Sequence, residues 1–178
     1  MPDTNEIIHL LKRVHQTREF TDQPVPAEDL SDLLAVARWT GSARNVQPWH
    51  FVVIEDRADL EYLASVGPSA GFFKSAPLVI AVVIDQKSPT PAFDEARVVE
   101  RLFIAAAALG LSAGIGTFSP TNIPLAGARL NLPDNLSFHA GVAIGYGLPR
   151  TSTANSASPA RKPLESVVSY GTYGKLQK

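Results

Sequence analysis

The sequence has no cysteine. That single absence excludes disulfides, thiolate catalysis, iron–sulfur clusters and thiolate zinc sites together. Neither sign of charge dominates: 16 Lys and Arg stand against 17 Asp and Glu, for a net charge of -1. The charge balance therefore gives no reason to expect nucleic acid or an anionic membrane as a partner. No stretch approaches the roughly 20 apolar residues that a membrane helix needs. The opening MPDTNEIIHL carries two acids and no long apolar run, so it does not read as a signal peptide. The four histidines, His9, His15, His50 and His139, show no i,i+4 pair and no H-E-x-x-H context, so no metal site is expected. No G-x-S-x-G elbow is present to support a serine hydrolase. The expectation is a soluble, cytoplasmic protein.

What remains is an ordinary globular composition. The 178 residues are 45% hydrophobic and 19% charged, enough for one domain with a real core. Ile7, Ile8, Leu11 and Val14 fall on one helical stripe between Asn5 and Val14. Pro26 suits a first helical position, followed by Leu30, Leu33, Leu34 and Ala37 at helical spacing. His50–Ile54 reads as a strand, and Asp56 as the cap of a short helix through Leu60, Leu63 and Ala64. Pro77–Ile84 is nearly all apolar, which suggests a central strand covered on both faces. The longest helix is expected over Phe93–Leu109, closed by Gly110. Asp94 and Glu95 open it, where acids favour the helix dipole in any case. A short strand is expected in GLSAGIGTF, a short helix over Leu125–Leu130, and a strand over Phe138–Tyr146. Residues 149–163 read as a surface arm, with Pro163 opening a last helix, LESVV.

Four places could carry chemistry, and each has a plainer reading. Arg13, His15 and Arg18 could bind a phosphate, or form a solvated basic loop. The stretch Ser42–Trp49 could hydrogen-bond a polar heterocycle, or merely join a helix to a strand. Gly114 and Gly116 could let a ligand reach the backbone before Thr117–Pro120, or serve packing alone. Arg161 and Lys162 could close over an anion, or remain solvated.

Taken in order, these segments resemble the FMN-dependent nitroreductase family, which also holds deiodinases and flavin-cleaving enzymes. VHQTREF followed by PVP and a helix is similar to the family's opening. TGSARNVQPWHFVVI is similar to its A-P-S-x-x-N-x-Q-P-W-x-F pattern, and FDEARVVERLFIAAAALGL to its helix ending A-x-x-L-G-L. GYGLPR and ARKPL match its close. Val14, Gln16 and Gly41 stand where the family usually has Arg, Ser and Pro.

The resemblance implies an α+β, three-layer α-β-α sandwich with a central mixed sheet, working as an intertwined homodimer. It makes residues 1–178 one FMN-binding domain. It implies that Arg13 or His15 replaces the phosphate contact missing at Val14, and that His15, Gln16 and Arg18 touch FMN. It further implies that Ser42, Asn45 and Gln47 approach from the partner subunit, that Thr117, Phe118 and Ser119 lie beside the isoalloxazine, and that Arg161 pairs with the phosphate. Ser119 reaching N5 competes with Ser119 capping the helix that follows Pro120. The implied activity is reduction of nitroaromatics, quinones or similar small acceptors, with NADH or NADPH as electron donor, in a ping-pong cycle. A specialised flavin enzyme and a non-catalytic FMN-binding module remain alternatives.

Overall fold

The computed structural model describes residues 4–149 and 161–176. Its elements run α1 (Thr4–Arg13), α2 (Ala27–Arg38), β1 (Trp49–Ile54), α3 (Arg57–Val66), β2 (Leu78–Asp85), α4 (Pro91–Ala108), β3 (Ser112–Thr117), α5 (Ile123–Arg129) and β4 (Leu136–Gly145). Short 3-10 turns occupy Ala43–Asn45, Gly71–Ser75 and Leu164–Ser166.

β2 organises the domain because it has no polar face. Leu78, Ile80, Val82 and Ile84 pack into one buried cluster, and Val79, Ala81 and Val83 into another. A strand of this kind must be covered on both sides. Leu33 and Ala37 of α2 and Val98, Leu102 and Ala106 of α4 cover the first face. Leu60 and Leu63 of α3, Phe73 of the Gly71–Ser75 turn and Ala126 of α5 cover the second. The result is the expected three layers, α-β-α. The four strands pair antiparallel in the order β1-β2-β4-β3. One parallel bridge, Gln16 beside Ala113, adds a further chain segment at the β3 edge.

Local signals fix the boundaries. The Asp56 side chain accepts the Asp59 N–H and starts α3. The Gly110 N–H donates to the Ala107 carbonyl and the Leu111 N–H to the Ala106 carbonyl, with Gly110 at φ +75°. This paired closure is the Schellman motif, and its left-handed position suits glycine. Pro26 sits one residue outside its expected place, as the residue preceding α2. The expected helix LESVV is only the 3-10 turn Leu164–Ser166, with the Ser166 hydroxyl donating to the Pro163 carbonyl.

The chain divides into two compact units, Met1–Leu148 and Pro149–Lys178. Most of the arm expected at 149–163 lies outside the described residues. Among those described, no helix is long and apolar enough to cross a membrane.

Candidate active site along the β3 edge

β3 is an edge strand, and residues 15–18 lie against it. The Thr17 N–H donates to the Ala113 carbonyl at 2.8 Å, next to the Gln16–Ala113 bridge. The glycines of β3 serve this packing. A Cβ at Gly114 would stand 2.0 Å from the Thr17 carbonyl oxygen, and one at Gly116 2.6 Å from the Phe73 ring. What approaches the backbone so closely is the chain itself, so of the two readings of these glycines the structure selects packing.

The docked segment carries oriented polar groups. The His15 Nδ1 lies 2.8 Å from the Arg13 carbonyl oxygen. A carbonyl only accepts, so Nδ1 holds the hydrogen and Nε2 is left for another partner. With its amide oxygen turned toward Arg18, Gln16 accepts from Arg18 Nε at 2.9 Å and Nη2 at 2.8 Å, which presets the exposed guanidinium. A cavity of about 250 Å³ opens beside them, lined by Arg13, His15, Thr17, Phe103, Ser112 and Ala113 among others. Val14, where a guanidinium was missed, packs instead against the core.

Thr117–Ser119 leave the far end of β3, four residues on from Ala113, or about 13 Å at strand spacing. Ser69 holds this end: its hydroxyl accepts the Thr117 N–H at 2.8 Å and pairs with the Thr117 hydroxyl at 2.8 Å. The Phe118 ring is buried with Phe73 and Phe138, so the ring itself belongs to the core. Ser119 does not cap the following helix with its side chain. Its carbonyl accepts the Asn122 and Ile123 N–H groups, and α5 begins only at Ile123.

Ser42, Asn45 and Gln47 lie elsewhere. They precede β1, at the opposite edge of the four-stranded sheet. Three strand spacings, about 14 Å, separate the two edges. Arg44, Asn45 and Gln47 all have positive φ, between 48° and 54°. Non-glycine residues held this way cost of order 1 kcal/mol or more each. The Ser42 hydroxyl accepts the Gln47 N–H at 2.8 Å and helps to hold the loop in that form. At its root the Thr40 hydroxyl is buried with no hydrogen-bond partner. A groove of about 560 Å³ between α2 and β1 is lined by Leu34, Arg38, Gln47 and Trp49 among others. Arg161 belongs to the second unit, where it is exposed.

One pair of side chains escaped sequence reasoning. Asp94 is buried and accepts from the Ser88 and Thr90 hydroxyls. Glu95 is buried on the core side of α4, and its Oε1 accepts the N–H groups of both His139 (3.1 Å) and Ala140 (3.0 Å). Its Oε2 lies 3.2 Å from His139 Nδ1. Burial pushes its carboxyl above the ordinary carboxylate range, while His139 and the two N–H groups pull it back. The signal was in the spacing: Glu95 shares a helical stripe with Val98, Val99 and Leu102, all buried.

A profile of the Nitroreductase family matches residues 11–70, the span holding the first two motifs. The chain is 28% identical over 166 residues to a Methanothermobacter thermautotrophicus protein provisionally named NADH dehydrogenase/NAD(P)H nitroreductase, covering 90% of this chain and 87% of that protein. It superposes on a nitroreductase family protein of Clostridium difficile 630 with a TM-score of 0.79 at 26% identity, over 93% and 98% of the two chains. An FMN-dependent nitroreductase of Clostridium difficile R20291 shares the fold at 22% identity, with a TM-score of 0.82 over 93% and 99%. With its motif region matched, a relative aligned along most of both lengths and the fold in common, the chain is similar to the nitroreductase family of oxidoreductases in sequence and in fold.

Proposed function

We propose that the protein is an FMN-dependent oxidoreductase that takes electrons from NADH or NADPH and passes them to nitroaromatics, quinones or similar electron-poor small molecules in a ping-pong cycle. The observation that carries this reading is the polar segment after α1, which docks on the edge of β3 through Gln16, Thr17 and Ala113 and carries the His15, Gln16 and Arg18 side chains, while Thr117–Ser119 leave the end of the same strand. The donor set fits FMN. Guanidinium and imidazole groups suit a phosphate dianion, and an amide-held guanidinium suits the polar edge of a heterocycle. When bound, FMN supplies the hydride and electron chemistry, while the protein supplies position and field.

The residues then divide the work. Arg13 and His15 would hold the phosphate, the partner that the family resemblance also implies for Arg161. Arg18, fixed by Gln16, would face the pyrimidine edge, where a preset positive charge stabilises the negative charge of reduction. Ser119 would offer its hydroxyl beside the reactive nitrogen. Phe118 would shape the loop through its buried ring.

The same reading includes a homodimer. The 42–47 loop lies an entire sheet width from β3, so a second copy is the direct way to bring Ser42, Asn45 and Gln47 to the same ligand. Surface apolar groups support this. Ile7, Ile8 and Leu11 leave the apolar stripe of α1 half-exposed, and Trp39 and Phe93 are 71% and 75% exposed. Such surfaces commonly mark association sites.

A visible spectrum of the purified protein, before and after anaerobic NADH or NADPH, tests the proposal. A yellow protein bleached by either nucleotide and recoloured by a nitroaromatic is expected. A colourless protein that gains no absorbance on FMN addition overturns it. A yellow protein bleached by neither nucleotide leaves FMN binding without turnover.

A further inference from the structure

β4 departs from regular pairing at one point. Val82 faces Ala140 and Val83 faces Phe138, so His139 is an extra residue, a β-bulge. The bulge turns two successive N–H groups, of His139 and Ala140, toward the same carboxylate oxygen of Glu95. The His139 carbonyl, on the other side of the same residue, accepts the Phe118 N–H at 3.0 Å. The chain of bonds therefore runs from α4, through the bulge, to the segment leaving β3.

We infer that Glu95 is a positioning residue: by gripping the β4 bulge it fixes the His139 carbonyl, which sets the course of Thr117–Ser119 along the candidate site. The functional half of this rests on the reading of Thr117–Ser119 as ligand-facing. Two features favour a positioning role over a merely filled core. An acid at this depth is costly unless bonded, and an apolar side chain would suit the stripe of Val98, Val99 and Leu102 better. Glu95 also spends both oxygens on the bulge residues alone, and Ser69 holds the same segment from Thr117. The segment is thus fixed at two consecutive residues by groups from different elements.

Hydrogen exchange in the full chain, read at Phe118, His139 and Ala140, tests the inference without any cofactor. Glu95→Ala removes the grip, and the three amides are expected to exchange roughly tenfold or more faster, as loss of a charge-assisted hydrogen bond implies. Glu95→Gln keeps an oxygen at the same reach and should restore protection. Glu95→Asp keeps the charge but falls one methylene short. It should behave like Glu95→Ala, and it decides the matter if Glu95→Ala does not fold. Phe118 exchange at the parental rate in the short variants overturns the inference. Fast exchange in His139→Ala, which leaves the carbonyl in place, also overturns it, because the ring would then be the support.

FMN titration supplies the functional half. Glu95→Asp is expected to bind FMN more weakly and Glu95→Gln close to the parent. Unchanged FMN affinity in a Glu95→Asp protein with a loosened loop overturns the positioning role. A parent that binds no FMN refutes the site reading instead, and the exchange experiment still decides whether Glu95 holds the loop.

Discussion

Gly114→Ala should do more damage than its one added methyl suggests. The new Cβ would lie 2.0 Å from the Thr17 carbonyl oxygen, with the Phe72 ring at 2.9 Å. The ring can shift, but the carbonyl belongs to the backbone of a segment already bonded to β3. Relief requires residues 15–18 to move off the strand edge, which breaks the Thr17–Ala113 hydrogen bond. Overpacking costs about 1–3 kcal/mol, and the lost bond adds about 0.5–1.5 kcal/mol. A total of about 1.5–4.5 kcal/mol corresponds to a Tm lower by roughly 3–18 °C in a domain of this size. Because the same movement carries Gln16 and Arg18 away from the edge, FMN affinity should fall with stability. Gly127→Ala is the matched control. Its added methyl meets nothing nearer than 3.9 Å, and in the interior of α5 alanine should be neutral or stabilising by up to about 1 kcal/mol. Calorimetric melts of the two variants provide the assay. A Gly114→Ala protein melting with the parent would refute the docking of residues 15–18 on β3.

Other predictions test separate links. Because burial raises the Glu95 carboxyl in the native state, the native protein binds that proton more tightly than the unfolded chain. Stability should therefore fall as pH rises from the ordinary carboxylate value through the raised one, then level off. Glu95→Gln should remove that component, and urea melts at stepped pH showing a parent-minus-variant difference that rises across the window would contradict the assignment. Asp56→Ala removes the side-chain cap of α3 and should cost about 0.5–2 kcal/mol, read from thermal melts. Arg161→Ala should weaken FMN binding by about 1.5–3 kcal/mol, the range for a hydrogen bond to a charged group, and riboflavin binding little. Equal losses for the two ligands would place Arg161 away from the phosphate. Sedimentation should show a dimer that loses FMN on dissociation, and a monomer retaining stoichiometric FMN would exclude the shared site.

Much of the fold is legible in the sequence because its determinants are local. The unbroken apolar run of β2 requires cover on both faces, Asp56 carries its cap in its own side chain, and Gly110 closes α4 by tolerating a left-handed backbone. The ordered motifs were legible for a similar reason: residue types and spacing survive in the linear chain. What only the tertiary structure decided depends on partners distant in sequence. The glycines of β3 could admit a ligand or a neighbour until Thr17 and Phe73 were seen to fill the space. Phe118 stood among polar loop residues, yet its ring joins Phe73 and Phe138 in the core. Glu95 looked like a dipole-favouring acid because its partners, the N–H groups of His139 and Ala140, lie 44 and 45 residues away. Those N–H groups converge only because β4 bulges against β2, a register event in strand pairing that no local sequence pattern records.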